Sequence, residues 1–160
     1  MVSHSALVCA RSDVARNFLA RSKGIHLDSV KRLVVVLASG SHTEPGPALL
    51  AFRYAATAAA MDVEVEIHAV GASVGLLRRG ASPEASAVAV QSVNPAMSSR
   101  DFVSQIRELK SLDIELYVCS AALAEACLSL SDLIPEVSGV RGAAALLVAG
   151  LAPDARLLTF

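Results

Sequence analysis

Three cysteines, four histidines and a few well-placed charges are the side chains of this 160-residue chain whose chemistry goes beyond packing. Cys119 stands out by its setting. It closes the apolar run Ile114–Val118 (IELYV) and precedes a helix-forming stretch from about Ser120 to Leu128, so the spacing predicts a thiol where a buried strand turns into a helix. Unpaired backbone N–H groups and the positive end of the helix dipole stabilise thiolate there, and thiolate is the nucleophilic form. The competing reading is packing, because cysteine often serves as a small buried hydrophobe.

Cys127 lies further along the same expected helix, where eight residues rise about 12 Å, whereas a disulfide needs Cα atoms within about 7 Å. The two thiols are expected to stay unbonded unless the helix breaks between them. Cys127 is read as a packed core thiol, with a second sulfur-handling group as the alternative. Cys9 lies in the N-terminal arm and is read as incidental or as an intermolecular contact. His42 belongs to the Ser39–Pro47 loop, which leaves the first strand at the same sheet edge as Cys119. A Cys–His pair there would favour thiolate, the alternative being a solvated loop histidine. Arg141, near the end of a fourth strand, is placed to face the same edge, while Arg78 and Arg79 read as a solvated helix end. His4, His26 and His68 lack ligand spacing with one another or with the cysteines, so no metal site is expected. The loop SGSHTEPG lacks both the P-loop pattern and the glycine fingerprint of a dinucleotide fold.

The elements that must position these residues follow from the alternation of apolar runs. Leu33–Ala38 (LVVVLA) reads as a buried strand, Ala48–Met61 as a helix with Pro47 in its first turn, and Val63–Val70 as a second strand. Glu64 and Glu66 alternate along that strand and suggest an exposed face or a sheet edge. Gly71–Gly80 reads as a short helix. A further helix runs from Ser98 or Ser99, as cap, to about Ser111, with Asp101 near its positive end. Val137–Val140, Gly142–Leu151 and Arg156–Phe160 supply a short strand, a helix and a closing strand. Strands and helices alternating in this way predict parallel strands, right-handed crossovers and a three-layer α/β sandwich with about five mostly parallel strands. In such sheets the site lies outside the carboxyl ends of the strands, near a switch in strand order.

Composition narrows the function further. Fourteen Lys+Arg against fifteen Asp+Glu leave a net charge of −1, which gives no electrostatic footprint for nucleic acid or an anionic membrane. The chain is 54% hydrophobic, yet its apolar runs are interrupted well short of the about 20 residues a membrane helix needs. Aromatic residues make up only 4%, too few for a stacking platform. An odd cysteine count without CxxC spacing fits a reducing, cytoplasmic compartment. Residues 1–32, with Arg11, Arg16, Arg21 and Lys23 and with Val14, Phe18 and Leu19 at helical spacing, read as a helical arm ahead of one domain spanning 33–160.

The segment IELYVCSAAL resembles the signature of the DsrE/DsrF/TusD family of small sulfur-relay proteins. LVVVLASGSH with AFRYAATAAAMDVEVEIHAVG is similar to that family's first strand–helix–strand unit, and EVSGVRGAAALLVAGLAPDARLLTF to its closing one. The resemblance implies a DsrE/F-like fold and a cysteine, Cys119 by position, that carries persulfide sulfur without a cofactor. It also implies homo- or hetero-oligomers and a small sulfur-carrier or rhodanese-like partner. Two departures stand against it: family members often carry paired basic residues after the Cys-Ala-Ala segment, where this chain has Ala124, Glu125 and Ala126, and small members lack the basic arm. The alternative is a non-catalytic DsrE-like subunit or binding module with an inert cysteine. A nucleotide- or flavin-binding α/β protein is a third reading, by fold analogy alone.

Overall fold

The computed structural model of the chain describes residues 30–40, 46–80 and 99–160. The expected arm helix with Cys9, the His42 position and the stretch 81–97 fall outside the described residues, as does the capping expected of Ser98, Ser99 and Asp101.

Strand β1 (Arg32–Leu37, RLVVVL) is β-branched at its centre and buried on both faces, because helices cover it on each side of the sheet. Helix α1 (Gly46–Ala59) leads to β2 (Glu64–Ala69), and a 3-10 helix (Gly71–Leu77) follows. Helix α2 (Ser99–Ser111) precedes β3 (Glu115–Cys119), which passes directly into α3 (Ser120–Glu125) and a 3-10 turn (Leu130–Asp132). The chain continues through β4 (Gly139–Arg141), α4 (Ala143–Gly150) and β5 (Ala155–Thr159). The five strands pair in the order β4-β3-β2-β1-β5, all parallel.

Strand alternation and register divide the apolar residues between two faces. Leu33, Val35 and Leu37 align with Val65, Ile67 and Ala69, and Ile67 and Ala69 align in turn with Leu116 and Val118 of β3. Ala51, Phe52 and Ala55 of α1, Phe102, Ile106 and Leu109 of α2, and Ala122 and Leu123 of α3 join these in one buried cluster. Phe52 and Phe102 meet with ring centroids 5.5 Å apart. On the opposite face Val34 and Val36 are also buried, and α4 packs against β1 and β5 there, burying Ala149. The sandwich is therefore lopsided. One outer layer holds α1 to α3, whereas among the described elements the other holds α4, which leaves Leu147, Val148 and Leu151 exposed.

Three helices stop in the same way. Asp62, Asp113 and Cys127 adopt positive φ of 60°, 56° and 51°. After each, the next N–H returns to a carbonyl in the last turn: Val63 to Ala58, Ile114 to Leu109, Leu128 to Leu123. This is the Schellman arrangement, in which a left-handed residue satisfies the orphan carbonyls and an apolar residue closes over the helix end. It stops α3 at Glu125, short of the expected Leu128.

Two expectations are corrected by the topology. β2 is an interior strand, which excludes the edge; of the expected exposed face only Glu64 is open, pairing with Arg32 at 3.1 Å, while Glu66 is largely enclosed. The reversal of strand order falls between β1 and β5, where the Phe160 carbonyl accepts from the N–H groups of Ala38 and Ser39. Cys119 ends β3, two strands from that point.

Candidate functional site at the ends of β3 and β4

An all-parallel sheet brings the carboxyl ends of its strands to one edge. At that edge Cys119 is both the last residue of β3 and the N-cap of α3. Its thiol is free, half-buried, and packs partly against the main core. Helix α3 is only six residues long, and Cys119 at its N-cap makes no side-chain hydrogen bond to the first-turn N–H groups, so the helix offers the thiol a short turn and not the dipole of a long helix.

The register partner of Cys119 is Arg141, the last residue of β4. Neighbouring strands run about 4.8 Å apart, so these residues stand side by side at the sheet edge. The chain stays close beyond them: a Cβ built on Gly142 would sit 3.7 Å from Ser120 Oγ.

Arg141 is held from two directions. Its guanidinium carbon lies 3.4 Å from the centre of the Tyr117 ring, and Nη1 donates to Glu66 Oε2 at 2.7 Å. Glu66 belongs to β2, so the bond reaches across β3. Glu66 Oε1 lies 3.3 Å from His68 Nε2 without the alignment of a hydrogen bond, and both atoms are buried. The His68 ring in turn lies 5.4 Å from that of Tyr117. Burial lowers the His68 pKa from its ordinary value; the Glu66 carboxylate opposes the shift and Arg141 adds to it. The result is a polar patch of Glu66, His68, Tyr117 and Arg141 on the sheet face away from α1 and α2.

The remaining candidate residues are placed elsewhere. Cys127 is exposed and is not a core thiol, because the Schellman stop of α3 turns it outward into solvent. Arg78 and Arg79 are exposed just past the end of the first 3-10 helix, as expected, and Arg79 also ties that helix to the loop after α3: its backbone N–H donates to the Asp132 carbonyl and its Nε to the carbonyl of Leu133. His42 lies outside the described residues. Glu66, His68 and Tyr117 were missed as a group. Their trace is the polar alternation in EVEIHA, where positions 64, 66 and 68 share one face.

The model of the DsrE/DsrF-like family matches residues 31–160. The chain belongs to the DsrE/DsrF-like family. No curated protein matches the chain. Among solved structures, it is similar to the protein of unknown function MTH1491 from Methanobacterium thermoautotrophicum, with 17% identity and a TM-score of 0.58 over 81% of this chain and 98% of the other. It is also similar to the ychN protein from E. coli, with 15% identity, a TM-score of 0.60 and coverages of 82% and 100%. A protein of unknown function, BT1422 from Bacteroides thetaiotaomicron, shares 14% identity at a TM-score of 0.57, with coverages of 81% and 95%. These likenesses establish the fold. In this DsrE/DsrF-like chain α3 contributes one charge, Glu125, and the basic residue whose backbone pairs with Cys119, Arg141, comes from β4. Among the described residues no group of three or more His, Cys, Asp or Glu could hold a metal ion, and no helix is long and apolar enough to cross a membrane.

Proposed function

We propose that this DsrE/DsrF-like chain is a sulfur carrier working through Cys119. The Cys119 thiolate attacks the outer sulfur of a donor persulfide. A new S–S bond forms on Cys119 while the donor's own S–S bond breaks, and the donor leaves as a thiolate that takes up a proton. An acceptor thiolate then attacks the terminal sulfur and Cys119 leaves as thiolate. Both steps are exchanges at sulfur with no net gain or loss of electrons, so no cofactor is needed. The donor or acceptor is a small sulfur-carrier or rhodanese-like protein in a reducing, cytoplasmic compartment, and the chain works as a homo- or hetero-oligomer.

The observation that carries this reading is the position of a free, half-buried thiol at the carboxyl edge of a parallel sheet, at the N-cap of a short helix. The test is intact-mass and peptide mass spectrometry after incubation with polysulfide. One added sulfur atom on Cys119, absent in Cys119→Ser and removable by an acceptor thiol, is expected. Equal loading of the Cys119→Ser variant would overturn the reading. A non-catalytic subunit is the second reading, favoured by the packing of Cys119 against the core and by Glu125 in α3. It predicts an unloaded Cys119 and co-purification of a stable partner.

A further inference from the structure

The polar patch next to Cys119 has features that a purely structural ion pair lacks. A buried arginine–carboxylate pair is strongest when bidentate, with both carboxylate oxygens engaged. Here Arg141 meets one oxygen of Glu66, and the other oxygen is buried without a hydrogen-bond partner. His68, whose side chain is only 4% exposed, likewise has its Nε2 buried and unbonded at 3.3 Å from that oxygen. Carboxylate and imidazole thus both keep unused hydrogen-bonding capacity. Arg141 is different: a third of its side chain is open to solvent, and its backbone is paired with Cys119 while its guanidinium rests further back along the strands, over Tyr117 and on Glu66. Of its five N–H donors, one is engaged by a side chain among the described residues.

We propose that Arg141 recognises the anionic group of the sulfur donor at Cys119, and that Glu66 is its resting counter-ion, from which the donor's negative charge draws it. This rests on the sulfur-carrier reading and names its substrate class: donors that are anionic at the reacting end, such as a persulfide anion or thiosulfate. The Tyr117 ring supports the guanidinium from below, so Arg141 can change partners without losing its platform. His68 stands ready to bond the carboxylate that Arg141 leaves, which limits the cost of stranding a buried charge.

The test compares alkylation of Cys119 in the full-length chain by anionic iodoacetate and by neutral iodoacetamide, followed at the Cys119 peptide by mass spectrometry. The ratio of the two rates cancels any change in thiolate fraction and reports the local preference for an anion. Arg141→Gln is expected to lower the ratio several-fold. Glu66→Gln, which removes the competing carboxylate at nearly constant shape, is expected to raise it. Arg141→Lys, which keeps the charge, is expected to retain most of the preference, a rescue that a merely structural arginine would not show. An unchanged ratio in both Arg141→Gln and Glu66→Gln overturns this proposal and leaves the sulfur-carrier reading standing. A Cys119 that reacts with neither reagent overturns both.

Discussion

Arg141 is clamped between Tyr117 and Glu66, with the ring centre 3.4 Å from its guanidinium carbon and the carboxylate 2.7 Å from Nη1. Three strands meet in this contact, so it measures how firmly β4, the shortest strand, is attached. A cation–π contact at a partly exposed site contributes about 0.5–1 kcal/mol. Tyr117→Leu is expected to lower stability by roughly that amount beyond its packing loss. A double-mutant cycle with Arg141→Gln in urea isolates the coupling.

His68 makes stability depend on pH. Burial lowers its pKa below the ordinary 6.5, so as pH falls through that value the unfolded chain takes up a proton before the folded one. The sign follows: the folded state loses stability as pH drops from about 6.5 to the folded pKa, and the loss levels off below it. The charged groups facing the ring are Glu66 and Arg141, with Tyr117 beside it. Urea denaturation at a series of pH values is expected to show this slope in the native chain and to lack it in His68→Gln.

Cys127 occupies a left-handed position that favours glycine. Replacing it by glycine relieves the Cβ clash while loosening the unfolded chain, for a net gain of about 0.5–1 kcal/mol. Cys127→Gly is expected to melt at a higher temperature, and Cys127→Val at a lower one. If Cys127 is outside the chemistry, sulfur loading of Cys119 stays as in the native chain.

Ser73 is fully buried and stitches two strand ends together. Its hydroxyl donates to the Leu37 carbonyl at 2.6 Å and accepts from the Val70 N–H at 3.1 Å. Ser73→Ala removes these bonds, but the Val70 N–H still donates to the Leu37 carbonyl at 2.9 Å, so the cost is that of lost hydrogen bonds, about 0.5–1.5 kcal/mol, and not that of stranded groups. Chemical denaturation is expected to show that loss, and Ser73→Thr tests whether the hydroxyl alone suffices.

The order and type of the described elements were legible because each strand is a short run rich in apolar residues, set apart from the longer helical stretches by turn residues. LVVVLA and IELYV point to buried strands, and the structure places β1 and β3 within a residue of them. The polar patch was harder to read. Glu66 looks like a solvent-facing residue in a strand with alternating charges, and only its tertiary partner Arg141, 75 positions later, explains its enclosure. Cys127 was misread for the opposite reason. Nothing local in SAALAEACLSL marks the end of the helix, since the usual glycine is absent and the Schellman stop uses cysteine in its place.

The position of β5 bears on how the chain is made. Each of the other pairings joins strands consecutive in sequence, but β5 inserts beside β1, so Arg32 finds Ala155 only after everything between them has been synthesised. Until then a nascent chain on the ribosome holds β1 as an edge, with the backbone N–H and C=O groups along one side of RLVVVL unpaired. An apolar parallel edge is a template for mispairing, and closing so long a loop is slow. Truncation before Ala155 therefore removes more than a peripheral strand: it leaves the most hydrophobic strand of the sheet open to the wrong neighbour.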